Sequence, residues 1–204
     1  MASVTPAAAV SGVGCHCFRD RSFDAANPSA VDPYLLASTQ NSLLSAVFGI
    51  SKKDVVRAKM TGADGDQLWV SQYLAGRVGH SADELLKARS RDGSWSGALH
   101  TLGDELPPAL RNVPQGDSSL AAAVVDAVLI LRLGSKPPTL QHLRAAGASN
   151  AEVIAAVYLG LRAGRDPKEL LGLVRSGATS WGSVLDATGL SPDQIEEDLV
   201  GRLR

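Results

Sequence analysis

The chain has 204 residues, 45% of them apolar but only 4% aromatic, and a formal net charge of -1. That length suits one or two domains, and the apolar fraction suffices for a core built from Leu, Val, Ile and Ala. With a pI near 6.4, charge alone excludes a general attraction to nucleic acid or to an anionic membrane surface.

Residues 1–31 read as an irregular N-terminal arm. Val4 to Gly14 is small, weakly apolar and uncharged, without the basic and leucine-rich parts of an intact signal peptide. Two readings fit it: the remnant of an export signal, or a disordered tail. Next comes Cys15-His16-Cys17, which holds both cysteines of the chain. In an extended segment the two thiols point one way and the imidazole the other. The pair suits a linear Cu(I) ion or half of a Zn²⁺ site, and equally a strained disulfide or an idle thiol pair. Cys15, His16 and Cys17 are thus the candidate metal residues, and the disulfide or idle pair is the expectation.

From residue 32 onward helix signals dominate. The first half reads as helices over Pro33–Phe48, Lys52–Met60, Gly65–Val78, Ala82–Ser90 and Trp95–Leu102. Asp64 with Gln67, and Ser81 with Glu84, have the spacing of an N-cap and its reciprocal partner three residues on. Gly49, Gly79 and Gly103 fall where helices would close in a left-handed residue. A Pro-rich connector follows at 107–116. The second half then gives Ser118–Leu133, Pro138–Ala145, Asn150–Ala163, Pro167–Arg175, Trp181–Thr188 and a last helix over Pro192–Leu203. Its caps are Ser149 with Glu152, Asp166 with Glu169, and Ser191 with Gln194. No β-branched alternation lasts long enough for a strand. The most apolar stretch, Leu120 to Leu133, is interrupted by Asp126 and Arg132, so no transmembrane segment is expected.

The halves repeat one another. Gly62–Leu86 aligns with Gly147–Leu171 at an offset of 85, with 9 identities in 25 positions, where chance gives roughly 2. Asp32/Asp117, Leu35/Leu120, Leu44/Leu129 and Gly49/Gly134 extend the match upstream. After one inserted residue, Ser94-Trp95, Leu99 and Gly103 meet Ser180-Trp181, Leu185 and Gly189. The expected fold is all-α, with two pseudo-repeated bundles of short helices of about 85 residues each. They occupy 32–106 and 117–204, joined by the connector.

Glu84-Leu85-Leu86, Gly93-Ser94-Trp95 and Leu102-Gly103, repeated as Glu169-Leu170-Leu171, Thr179-Ser180-Trp181 and Thr188-Gly189, carry a resemblance. The module is similar to one in bacterial exported helical-repeat proteins, some of which also begin Cys-His-Cys-Phe. The resemblance covers most of the chain and implies an exported protein, but brings no activity with it. Physically, Ser caps a helix and Trp95 or Trp181 drops onto the preceding Leu pair as core.

The module also has the outline of a helix-turn-helix, but the segment after Gly189 carries Asp193, Glu196, Glu197 and Asp198, which repel phosphate. No nucleic-acid partner is expected. Arg77 and Arg162, aligned late in the third helix of each half, are candidate ligands for an anion, or cations that complement a helix C-terminus. Asn41 aligns with Asp126 inside an otherwise apolar helix. Gln40 and Asn41, in the polar run Thr39-Gln40-Asn41-Ser42, suggest a wetter groove where the arm lies. No phosphate-binding glycine loop, nucleophile elbow, zinc-protease pair or dinucleotide fingerprint is present. The expectation is a non-enzymatic binding or scaffold protein, without cofactor, acting on a protein or small-molecule partner. The alternative is a thiol or metal (Cu/Zn) protein working through Cys15 and Cys17.

Overall fold

The computed structural model describes residue 18 and residues 20–203. Among them the secondary structure is entirely helical. In chain order the elements are α1 (Asp32–Phe48), α2 (Lys52–Met60), α3 (Gly65–Ala75), α4 (Ala82–Asp92), α5 (Trp95–Thr101) and α6 (Pro108–Arg111). Then follow α7 (Asp117–Leu133), α8 (Pro137–Ala145), α9 (Asn150–Ala163), α10 (Pro167–Arg175), α11 (Trp181–Asp186), a 3₁₀ turn (Pro192–Gln194) and α12 (Ile195–Leu203). The starts of α1 to α4 at 32, 52, 65 and 82 recur 85 residues later as those of α7 to α10.

Capping chemistry sets these boundaries. Ser81 with Glu84, and Ser149 with Glu152, form closed capping boxes on α4 and α9. The box expected at Asp64 is half made. Its carboxylate accepts from the Asp66 and Gln67 amides, but the Gln67 side chain instead donates to Asp117 at 2.9 Å. Asp166 likewise caps Lys168, while Glu169 pairs with Arg165. Helix α3 stops at Ala75, short of the expected Val78. Gly76 stands where α9 has Leu161, and the Arg77 amide bonds back to the Leu74 carbonyl. Gly164 closes α9 at φ 64, whereas Gly79 is not in the left-handed region, contrary to the expectation. The connector contains a short helix, α6, pinned by buried Leu106 and Leu110.

The two halves bury one common core, which takes Leu35, Trp69 and Trp95 together with Leu129, Ile154, Tyr158 and Trp181. Helix α1 packs on α9, α11 and α12, while α7 packs on α3, so each half's first helix lies against the other half. That explains why α1 and α7 carry apolar side chains on several faces rather than in a narrow stripe. Within α1 the core also takes Thr39 and Ser42, and Thr39 satisfies its hydroxyl on the Leu35 carbonyl at 2.8 Å. These small side chains permit close helix approach, so that part of the polar run faces the core and not a wet groove.

The aligned aspartates at the first positions of α1 and α7 stitch the halves together. Asp32 accepts the Trp181 and Gly182 amides at 3.2 and 2.8 Å. Asp117 receives Arg89 through two bonds of 3.1 Å, and Gln67 as well. Arg89 and Asp117 are only 19% and 22% exposed, which makes the pair worth more than a surface ion pair. Asp117→Ala is expected to cost about 1.5–3 kcal/mol in urea denaturation. Arg57→Ala, which breaks the exposed Asp54–Arg57 pair, should cost under about 0.5 kcal/mol. Equal losses for the two variants would contradict this account of the stitch.

Candidate functional site

A cavity of about 680 Å³ opens where the α2–α3 corner meets the α8–α9 corner and the start of α7. The two corners are equivalent at the 85-residue spacing: Lys59, Ala63 and Asp64 on one side match Arg144, Ala148 and Ser149 on the other. They touch through Asn150, whose Nδ2 donates to Asp66 at 2.9 Å. A cleft at this junction follows from the cross-packing of α1 on α9 and α7 on α3, which leaves the corners facing each other.

Each cation is held from behind by the polar residue inside its half's first helix. Lys59 donates to Asn41 Oδ1 at 2.7 Å, and Arg144 donates to Asp126 Oδ1 at 2.7 and 3.2 Å. The two pairs share their spacing but not their charge. Arg144 is neutralised by Asp126, whereas among the described residues Lys59 has only a neutral amide acceptor and no carboxylate at ion-pair distance. Burial pushes the Lys59 ammonium below the usual lysine range, with the more distant charges of Asp64 and Asp66 opposing the shift. Lys59 is therefore a half-buried cation with spare N–H donors in a polar cleft.

A lowered folded-state value means that the unfolded chain keeps the proton at a pH where the native state has released it. Stability therefore rises as pH climbs through the lowered Lys59 value toward 10.5. Denaturation of the wild type and Lys59→Met at pH 7 and pH 10 should show the wild type gaining on the variant at the higher pH. An unchanged difference would contradict the burial of the ammonium.

Helix ends complete the lining. Asp64 and Ser149 already cap α3 and α9. The 17-residue α7 follows Gly116, which has no side chain to cap it, and Ser118 and Ser119 of its first turn line the cleft. Among the described residues no side chain caps its first-turn amides, and these with the helix dipole favour negative charge there, which Asp117 at the first position supplies in part. Asn150 Oδ1 is buried and receives no hydrogen bond among the described residues.

Of the residues singled out from sequence, Gln40 lines this cleft and Asn41 holds Lys59 in it. The aligned arginines do not line it. The Arg77 guanidinium lies 3.5 Å over the Tyr73 ring centroid and donates to the Tyr73 carbonyl at 2.8 Å. Arg162 pairs with Asp198 of α12 at 3.2 Å. Cys15, His16 and Cys17 lie outside the described residues. The arm does reach α1: Phe18 meets Tyr34 edge-on at 5.6 Å, and both border a smaller cavity with Asn41 and Lys52. His80 lies 3.2 Å from the Leu102 carbonyl and 3.3 Å from Asp104. Among the described residues no three His, Cys, Asp or Glu side chains group as a metal site, and no helix is long and apolar enough to cross a membrane.

Lys59, Arg144 and Asn150 belong to no motif of the sequence. The available signal was that Lys59 and Arg144 are both basic at the spacing that pairs Asn41 with Asp126. Comparison with protein-family models, with curated proteins and with solved structures found no match for this chain.

Proposed function

We propose that the protein is a non-enzymatic binding protein whose ligand sits in the cleft between the α2–α3 and α8–α9 corners. The observation that carries this reading is Lys59, a half-buried cation without an ion pair among the described residues, facing the same cavity as the uncapped first turn of α7. A cavity of about 680 Å³ is of the size that small-molecule sites have. The exported location implied by the sequence resemblance belongs to the same proposal.

A thermal-shift screen of small polar metabolites, run with the wild type and Ser118→Trp, tests the reading. Ser118 is exposed at the cleft wall, so the bulky side chain fills the cavity without entering the core. A ligand should raise the wild-type melting temperature by mass action and leave the variant unmoved. Equal shifts in both proteins, or none from the whole set, would refute the cleft as the site.

A second reading is supported by the docking of Phe18 on Tyr34, which fixes the chain next to Cys17 against α1. There the Cys15–Cys17 pair acts as a thiol or Cu/Zn element mounted on the helical body. Metal titration with mass spectrometry under reducing conditions decides its metal form, and absence of stoichiometric metal eliminates a Cu/Zn site.

A further inference from the structure

We propose that the cleft selects a free α-amino acid, bound as its zwitterion, an inference that rests on the cleft being the binding site. The lining divides by charge and by hydrogen-bonding sense. Spare donors come from Lys59, which uses one N–H on Asn41, and from the first turn of α7 at Ser118 and Ser119. Together they suit one carboxylate, since ammonium and helix N-terminus both favour an anion. Acceptors with spare capacity come from Asp66 and Asp64, both of which line the cleft. Asp66 uses one oxygen on Asn150, and Asp64 uses one oxygen on two backbone amides, which leaves the second oxygen of each. These suit one ammonium group.

The balance of charge narrows the class further. Arg144 is spent on Asp126, so the cleft presents one cation without a contact ion pair among the described residues, beside the more distant carboxylates of Asp64 and Asp66. A phosphate dianion would meet Asp64 and Asp66 with like charge. A hydroxy acid would satisfy Lys59 but bring no cation to the aspartates, and a simple amine would leave Lys59 unanswered. Only a ligand carrying both charges close together answers both sides, and the remaining volume accommodates its side chain. Neither ionic group forms or breaks a covalent bond, so the step is binding alone.

The test is calorimetric titration of the full chain with each of the common amino acids, and with lactate, ethylamine and inorganic phosphate as probes of the separate charges. At least one amino acid should bind, and its N-acetyl and amide derivatives should bind at least about tenfold more weakly, the scale of one lost charge-assisted hydrogen bond. Lys59→Met should weaken the amino acid by a similar factor, and Lys59→Arg should restore it. Asp66→Asn should weaken the amino acid while sparing lactate. Circular dichroism and melting curves establish that each variant folds. Ser118→Trp, which leaves Lys59 and Asp66 in place, should abolish binding independently of them. Binding of phosphate or lactate with no amino acid bound would overturn the zwitterion and leave the cleft reading standing. Binding of no probe would overturn the zwitterion, and amino-acid binding that survives both Ser118→Trp and Lys59→Met would overturn both.

Discussion

Replacing Trp95 with alanine is expected to lower the unfolding free energy by about 3–5 kcal/mol, with a similar loss for Trp181→Ala. Both indoles begin a short helix, at 0% and 2% exposure. Ser94 and Ser180 cap those helices from the preceding position, accepting the Gly97 and Ser183 amides at 3.0 Å. The cap fixes the helix start and so fixes the direction in which the indole enters the core. Neither helix exceeds seven residues, so packing must hold what local hydrogen bonding cannot. The Trp95 Nε1 has no acceptor among the described residues, so Trp95→Phe should cost much less than the alanine change. Urea denaturation measures both. A loss below about 1 kcal/mol for Trp95→Ala would mean that the ring contributes little to the core.

Gly182→Ala should be the most damaging single-methyl change, at about 3 kcal/mol. A Cβ there would lie 2.5 Å from Val31 Cγ1 and 2.6 Å from the Pro28 carbonyl oxygen. Neither neighbour is a flexible side-chain end, so the segment before α1 must lift away. Lifting it also strains the bonds from the Trp181 and Gly182 amides to Asp32, and the bond from Ser180 Oγ to the Pro28 carbonyl at 2.9 Å. Limited proteolysis should therefore open residues 20–31 to cleavage in the variant. Ser96, which holds the corresponding place in α5, is exposed, and Ser96→Ala should be silent. An unchanged cleavage pattern for Gly182→Ala would contradict the close approach.

Both variants probe features that differ in how visible they are in the sequence. Trp95 and Trp181 could be read as core because a capping Ser and a Leu pair accompany each. The close packing at Gly182 could not, because it depends on Pro28 and Val31, some 150 positions away. Helix starts were legible for the same reason as the Trp module: Ser81–Glu84 and Ser149–Glu152 are local signals that act within one turn. Where a side chain had a better partner across the halves, as Gln67 has in Asp117, local spacing misled.

The cleft was legible only in fragments. Asn41 and Asp126 stood out as polar residues in apolar helices, yet their cationic partners lie 18 positions later on the next helix. Identity at the repeat spacing drew attention to Arg77 and Arg162 instead. Gly76 shortens α3 relative to α9, so those two arginines meet different surroundings, Tyr73 in one case and Asp198 in the other. Lys59 and Arg144 differ in residue type, yet each bonds the polar residue 18 positions before it. The difference matters, because a neutral Asn41 behind Lys59 leaves charge for a ligand, while Asp126 behind Arg144 does not.

The binding site itself is tested most directly by amide chemical-shift mapping during titration with a mixture of amino acids. The account predicts perturbations grouped at Lys59, at residues 63–66, at Ser118 and Ser119, and at residues 148–151, the corners that face each other across the cleft. Perturbations confined to another surface, or none at saturating ligand, would contradict it.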